Sequence, residues 1–136
     1  MNELSAEVLE MTRQRHGEHV VVSLAGEVDV DNASRVRRCL DEAVDGTTHD
    51  TTHDTTHATS AAAAGRRGPR LVVDLSALTF IDTTGLGVLV RQLAALRERD
   101  GSMALVAPDG QVLRRLRRTN LAPLFPIYDT LSQALA

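Results

Sequence analysis

Aromatic residues are almost missing from this chain: two phenylalanines, one tyrosine and no tryptophan make up 2% of its 136 positions. A core must therefore be aliphatic, and there is no set of rings on which unstacked bases could lie. The single cysteine, Cys39, excludes an internal disulfide and a thiolate zinc cluster and fits a reducing compartment. No run approaches the roughly 18 to 20 apolar residues of a membrane span, and the first twenty residues hold no apolar signal-peptide stretch, so the expected location is the cytoplasm. A dominant charge is missing too. Fifteen basic residues, all arginine, stand against eighteen acids for a net charge of -3, which gives no field to draw the protein to nucleic acid.

What is present suffices for one domain, since 43% of the residues are apolar. "VVVSLAG", from Val20, is a compact apolar run that reads as a buried strand stopped by Gly26, with a weaker strand before it around Val8 to Arg15. His16 and His19 flank the turn between them. Ala33, Val36, Leu40 and Ala43 recur at helical spacing between Asn32 and Val44, with Asp31 or Asn32 as N-cap. Cys39 falls on that helix as a small, partly buried apolar residue. "LVVDL" at Leu71 and "MALVA" at Met103 are further buried strands. Between them Leu86, Leu89, Val90, Leu93 and Ala94 form the apolar stripe of a second helix. A short helix over Gln111 to Arg118, a brief strand near Pro126 to Tyr128 and a last helical turn from Thr130 follow. Short apolar strands alternating with helices predict an α/β fold, its sheet of about four to five strands mixed but mostly parallel after a first hairpin.

From Asp45 to about Arg70 the apolar period stops, and "TTHDTTHDTTHATSAAAAGRRGP" takes its place. Connections in compact domains rarely exceed about 12 to 15 residues, so residues 45–70 read as a disordered, low-complexity insertion in a loop of a single domain spanning 1–136. Such an insertion costs little, because loop-closure entropy grows only logarithmically with length. His49, His53 and His57 are spaced so that a helix would bring them to one face, where a metal could bind. Threonine-rich sequence is a poor helix former, and a solvated linker without a metal is the favoured reading.

The stretch with chemistry to offer is "TFIDTTGLGVLV", Thr79 to Val90, where a strand becomes a helix. The first N–H groups of a helix lack intrahelical partners and the dipole is positive there, so Asp82 suits the cap position. Gly85 and Gly87 sit in the opening turns, where each costs about 1 kcal/mol relative to alanine, which suggests that something approaches the backbone closely. Thr83 and Thr84 then fall at the carboxyl edge of the sheet, where α/β folds build their sites. A plain cap with threonines filling the turn is the structural alternative. A phosphate-binding loop would need G-x-x-x-x-G-K-[ST], and a nucleophile elbow G-x-S-x-G; both patterns are missing here. "RRLRR", Arg114 to Arg118, reads as a solvated helix face, with an acidic partner as the alternative and DNA a weaker one. "DVDN" at Asp29 offers too few fixed oxygens for calcium.

The segment "LVVDLSALTFIDTTGLGVLVRQLAAL" resembles the signature of the STAS domain, specifically that of bacterial anti-sigma factor antagonists: a strand, a D-S-[ST]-G-L type turn and a helix. "VSLAGEVDVDNASRVRRCLDEA" is similar to that family's "L-x-G-E-[LV]-D" strand end and first helix, and "VLRRLRRTNLAPLFPIYDTLSQALA" to its closing elements. The resemblance implies a switch with no catalysis and no cofactor of its own. The second hydroxyl residue of the turn, here Thr84 with Thr83 as second choice, would be phosphorylated by an anti-sigma factor kinase. The unmodified form would bind that kinase and release a sigma factor, and a phosphatase would restore it. Glu27, Asp29, Asp82, Thr83, Gly85 and Leu86 would lie at the partner surface. Threonine at both turn positions departs from the commonest pattern and also occurs in related stressosome scaffold proteins. A non-switching interaction or scaffold module, or a sensor of a small ligand or nucleotide, are therefore the alternatives.

Overall fold

The computed structural model describes residues 8–53 and 68–136. Strand β1, Leu9–His16, turns through Gly17 and Glu18 into strand β2, His19–Val28. Gly17 has φ +63°, and glycine reaches this left-handed region without the penalty a side chain would carry. Helix α1, Ala33–His53, leads to strand β3, Arg70–Ile81, and helix α2, Thr83–Glu98. Strand β4, Ser102–Val106, helix α3, Gln111–Arg118, a single 3₁₀ turn at Ala122–Leu124, strand β5, Ile127–Tyr128, and helix α4, Leu131–Leu135, complete the chain. The five strands lie in the order β1-β2-β3-β4-β5, β1 antiparallel to β2 and every later pair parallel.

Both faces of the sheet are covered, which is why its central strands read as unbroken apolar runs instead of alternating ones. Val20, Val22 and Leu24 of β2, Leu71 and Val73 of β3 and Leu105 of β4 join the buried residues of α1, α2 and α3 in the main core. Val21, Val72 and Val106 point the other way and meet Leu131, Ala134 and Leu135 of α4. Phe125 is the one aromatic residue among the buried hydrophobics of the described residues, so the core is aliphatic as the composition demands.

Three boundaries differ from the sequence reading. Gly26 does not stop β2. The strand runs on to Val28 with register shifts on both sides of Gly26, whose φ of +110° places its α-carbon where a Cβ would run into the carbonyl oxygen of Val8. That irregularity carries Glu27 and Val28 alongside Phe80 and Ile81. Helix α1 continues to His53, nine residues into the stretch expected to be loop from Asp45. Its first turns are packed through Val36, Leu40, Ala43 and Val44, and adding residues to an existing helix is far easier than nucleating one, so weak threonine propensity does not end it. Residues 54–67, the rest of the expected insertion and the site of His57, lie outside the described residues. The helix cap also moves. Neither Asp31 nor Asn32 caps α1 with its side chain: the Asp29 carbonyl accepts from the Ala33 N–H at 2.9 Å, and the Asp29 carboxylate accepts from the N–H groups of Asp31 and Asn32 at 3.0 and 3.3 Å.

Candidate functional site at the carboxyl edge of the sheet

Two chain reversals meet at the carboxyl ends of the adjacent parallel strands β2 and β3. One is Glu27 to Asn32, leading into α1; the other is Ile81 to Gly85, leading into α2. They are tied by the Asp82 N–H, which donates to the Val28 carbonyl at 3.0 Å, and by Thr79, whose hydroxyl donates to the Gly26 carbonyl at 3.0 Å. The first reversal is braced from within by Asn32, a buried polar residue at 7% exposure. Its Oδ1 accepts from the Asp29 N–H at 2.9 Å, and its Nδ2 donates to the Glu27 carbonyl at 3.0 Å. A buried amide survives only when its bonds are made, and this one holds the loop that presents Glu27. The sequence signal was an asparagine just before a helix, which suggested a forward-facing cap. The side chain faces backward instead.

In the second reversal Asp82 does what its position demands. It adopts extended backbone at the N-cap of α2, and its Oδ1 accepts from the Gly85 N–H at 3.0 Å. Its carbonyl takes the Leu86 N–H at 2.9 Å. Thr83 and Thr84 form the exposed first turn, and neither hydroxyl is engaged by another described residue. A free hydroxyl at a helix N-terminus is accessible to a transferase, and the positive end of the helix accommodates any anion placed on it.

The two glycines of this helix divide in their cause. A Cβ on Gly85 would lie 2.7 Å from Cγ1 of Ile81 and 2.7 Å from Cγ1 of Val28, both core side chains, so this glycine lets α2 dock on the ends of β2 and β3. What approaches its backbone is the protein itself. A Cβ on Gly87 would meet nothing within 4 Å. Interior packing therefore explains Gly85 and leaves Gly87 unexplained. Leu86, at 2% exposure, belongs to the core beside Gly85, so the turn offers a partner the backbone of these two residues and little side-chain area. Alongside lies an open apolar groove of about 480 Å³, whose walls include Thr83, Gly87, Val90 and Ala94 of α2 and Leu121 after α3. Leu121 is held there because α3 ends in a left-handed Asn120, φ +62°, letting the Leu121 N–H return to the Leu116 carbonyl at 2.9 Å.

The remaining sequence candidates fall elsewhere. Glu27 is exposed on the rim of the turn, and Asp29 is half-buried with one carboxylate oxygen already engaged by its loop. Cys39 is half-buried against the core, and burial raises its thiol above the usual range, which makes it a poor nucleophile. His16 shares a hydrogen bond of 3.0 Å with the Gln14 side chain. Burial, helped by the nearby Arg70 guanidinium, lowers the pKa of His19. Among the described residues no three His, Cys, Asp or Glu side chains converge where a metal could sit, and no helix is long and apolar enough to cross a membrane.

The chain is thus a single α/β domain with a carboxylate-capped helix start that leaves Thr83 and Thr84 exposed at the carboxyl edge of the sheet. Residues 10–134 match the STAS domain, and the chain belongs to that family. It is 28% identical over 127 residues to the "Anti-sigma F factor antagonist" of Paenibacillus polymyxa, covering 93% of this chain and 92% of that protein. It is similar in structure to an anti-sigma factor antagonist from Mycobacterium paratuberculosis, with TM-score 0.72, 27% identity, and 93% and 91% of the two chains covered. The unphosphorylated form of the anti-sigma factor antagonist SpoIIAA shares the fold at TM-score 0.65 and 18% identity, over 93% of each chain.

Proposed function

We propose that this protein is an anti-sigma factor antagonist whose unmodified form binds an anti-sigma factor kinase and thereby frees a sigma factor. Phosphorylation of Thr84 abolishes that binding, and a phosphatase restores it. The relatives' names support the partner class. The observation that carries the reading on this chain is Gly87: a glycine in the second turn of a helix, open to solvent, with no internal contact that requires it. It lines an apolar groove that begins at Thr83. A partner lying along that groove against the helix backbone accounts for the missing side chain. Thr83 and Leu86 line this groove, and the partner surface is proposed to extend from it over the adjoining chain reversals to Glu27, Asp29, Asp82 and Gly85.

Phosphate on Thr84 adds about -1.5 to -2 charges and three acceptor oxygens. At a helix N-terminus an anion gains about 0.3 to 1 kcal/mol, so the fold tolerates the modification. The consequence falls on the interface, where the phosphate joins the carboxylates of Asp82 and Glu27 against a packed partner surface, with like-charge and desolvation costs that reach several kcal/mol. Turning a partner from mostly bound to mostly free requires about 5.5 kcal/mol, which is within that range.

The test is binding to the anti-sigma kinase of the same organism, with phosphosite mapping after ATP is added, for the natural chain and for Thr84→Ala, Thr84→Glu and Gly87→Ala. Phosphate on Thr84, binding kept by Thr84→Ala, and binding lost in Thr84→Glu and weakened in Gly87→Ala are expected. Phosphate at another residue, or full binding by Thr84→Glu, refutes the switch at this position.

A further inference from the structure

The arginine-rich helix α3 is more than a solvated face. Its apolar side, Val112, Leu113 and Leu116, is buried as the spacing predicts, and Arg114, Arg115, Arg117 and Arg118 occupy the rest of the helix. Three of these arginines turn toward the end of β3 and enclose a cleft of about 320 Å³ with Phe80, Ile81, Gln111 and Val112. Arg115 sits with its guanidinium carbon 5.6 Å from the centre of the Phe80 ring. Phe80 is 37% exposed, an unusual use of one of the only two phenylalanines in the chain. No acidic residue lines the cleft, and among the described residues Arg114, Arg115 and Arg118 make no ion pair. Three guanidinium groups around one cleft, two of them exposed and none facing a carboxylate in the lining, give it a local positive potential that attracts an anion although the net charge of the chain is -3.

The chemistry specifies the ligand class. Guanidinium forks match the oxygens of a phosphate two at a time, and arginine stacked on an aromatic ring makes a platform that accepts a second planar group. The volume lies at the lower end of the range for small-molecule sites, roughly 300 to 1,000 Å³, and the location is the carboxyl edge of a parallel sheet. We propose that the cleft between the end of β3 and helix α3 binds a small organic phosphate, with its phosphoryl group on Arg114 and Arg118 and its planar ring on the Phe80–Arg115 stack. The cleft shares no lining residue with the groove at Thr83, so the assignment is independent of the proposed partner switch.

Amide-resolved NMR titration with phenyl phosphate, inorganic phosphate and phenol tests it on the full chain, on Arg114→Gln/Arg118→Gln and on Phe80→Leu, each first shown by its spectrum to be folded. Saturable shifts confined to Phe80, Ile81 and residues 111–118 are expected with phenyl phosphate. The double arginine variant should bind it about tenfold or more weakly, the loss carried by one charge-assisted hydrogen bond. Inorganic phosphate should bind the natural chain more weakly than phenyl phosphate, Phe80→Leu should remove that difference, and phenol should not bind. Shifts scattered over the surface or unsaturated, an affinity untouched by the arginine changes, or phenol binding as well as phenyl phosphate would overturn the site. Equal affinity for the two phosphates on the natural chain would overturn the stacking role of Phe80.

Discussion

Replacing Gly85 and Gly87 separately with alanine should move stability in opposite directions, although the two residues are two positions apart on one helix. In a helix, alanine is better than glycine by about 1 kcal/mol, because glycine loses more backbone entropy on folding. At Gly87 the new methyl meets nothing within 4 Å, so that gain is realised nearly in full and the variant is more stable by about 0.5 to 1 kcal/mol. At Gly85 the methyl would sit 2.7 Å from Cγ1 of both Val28 and Ile81, residues at 0% and 2% exposure whose branched side chains have few other rotamers. Overpacking of that kind costs about 1 to 3 kcal/mol, which outweighs the helix gain and separates the two variants by a similar amount. Urea unfolding of both proteins, with the slope checked for constancy, reads the difference directly. Repeating Gly85→Ala in a Val28→Ala background removes one of the two collisions and should recover about 0.5 kcal/mol or more as a coupling term. If Gly85→Ala is as stabilising as Gly87→Ala, or if Val28→Ala leaves its cost unchanged, then close packing is not why glycine stands at position 85.

Asp82→Ala should lower stability by about 0.5 to 2 kcal/mol through loss of the cap on the Gly85 N–H, seen as a lower urea midpoint, while Asp82→Asn should retain most of it. Asn32→Ala should cost about 1 to 3 kcal/mol by stranding the Asp29 N–H and the Glu27 carbonyl, and faster amide exchange over residues 27–32 would locate the damage. His19 has a folded-state pKa below its ordinary value of about 6.5, so it favours the folded protein when neutral, and that contribution is lost as the pH falls through 6.5 and then through the folded value. Thermal unfolding of His19→Gln should therefore show less loss of melting temperature than the natural chain between about pH 7.5 and 5.

Most of the architecture was readable from local pattern. Helix α3 begins and ends where the apolar spacing places it, and the antiparallel first pair and parallel remainder follow from strand lengths and the helices between them. Asp82 as the cap of α2 was equally readable, since a carboxylate between an apolar strand and an apolar-striped helix has few other roles. These are properties of residues close in sequence, and short-range geometry determines them.

Other features depended on contacts between distant residues. Gly26 stops a strand by composition, yet here the chain passes through it because Val8 and β3 supply partners on both sides. Asn32 reads as a helix cap until the loop behind it closes, whereupon its amide serves Glu27 and Asp29. Gly85 and Gly87 are indistinguishable in the sequence, and only the approach of Val28 and Ile81 separates one held by the core from one open to solvent. Phe80 and the arginines of α3 lie more than thirty positions apart, and the parallel sheet brings them into one cleft. The sequence by itself determined the apolar periods and the Asp82 cap. The tertiary structure decided which polar groups are committed to the fold and which face outward, because commitment is a matter of distance in space and not of position along the chain.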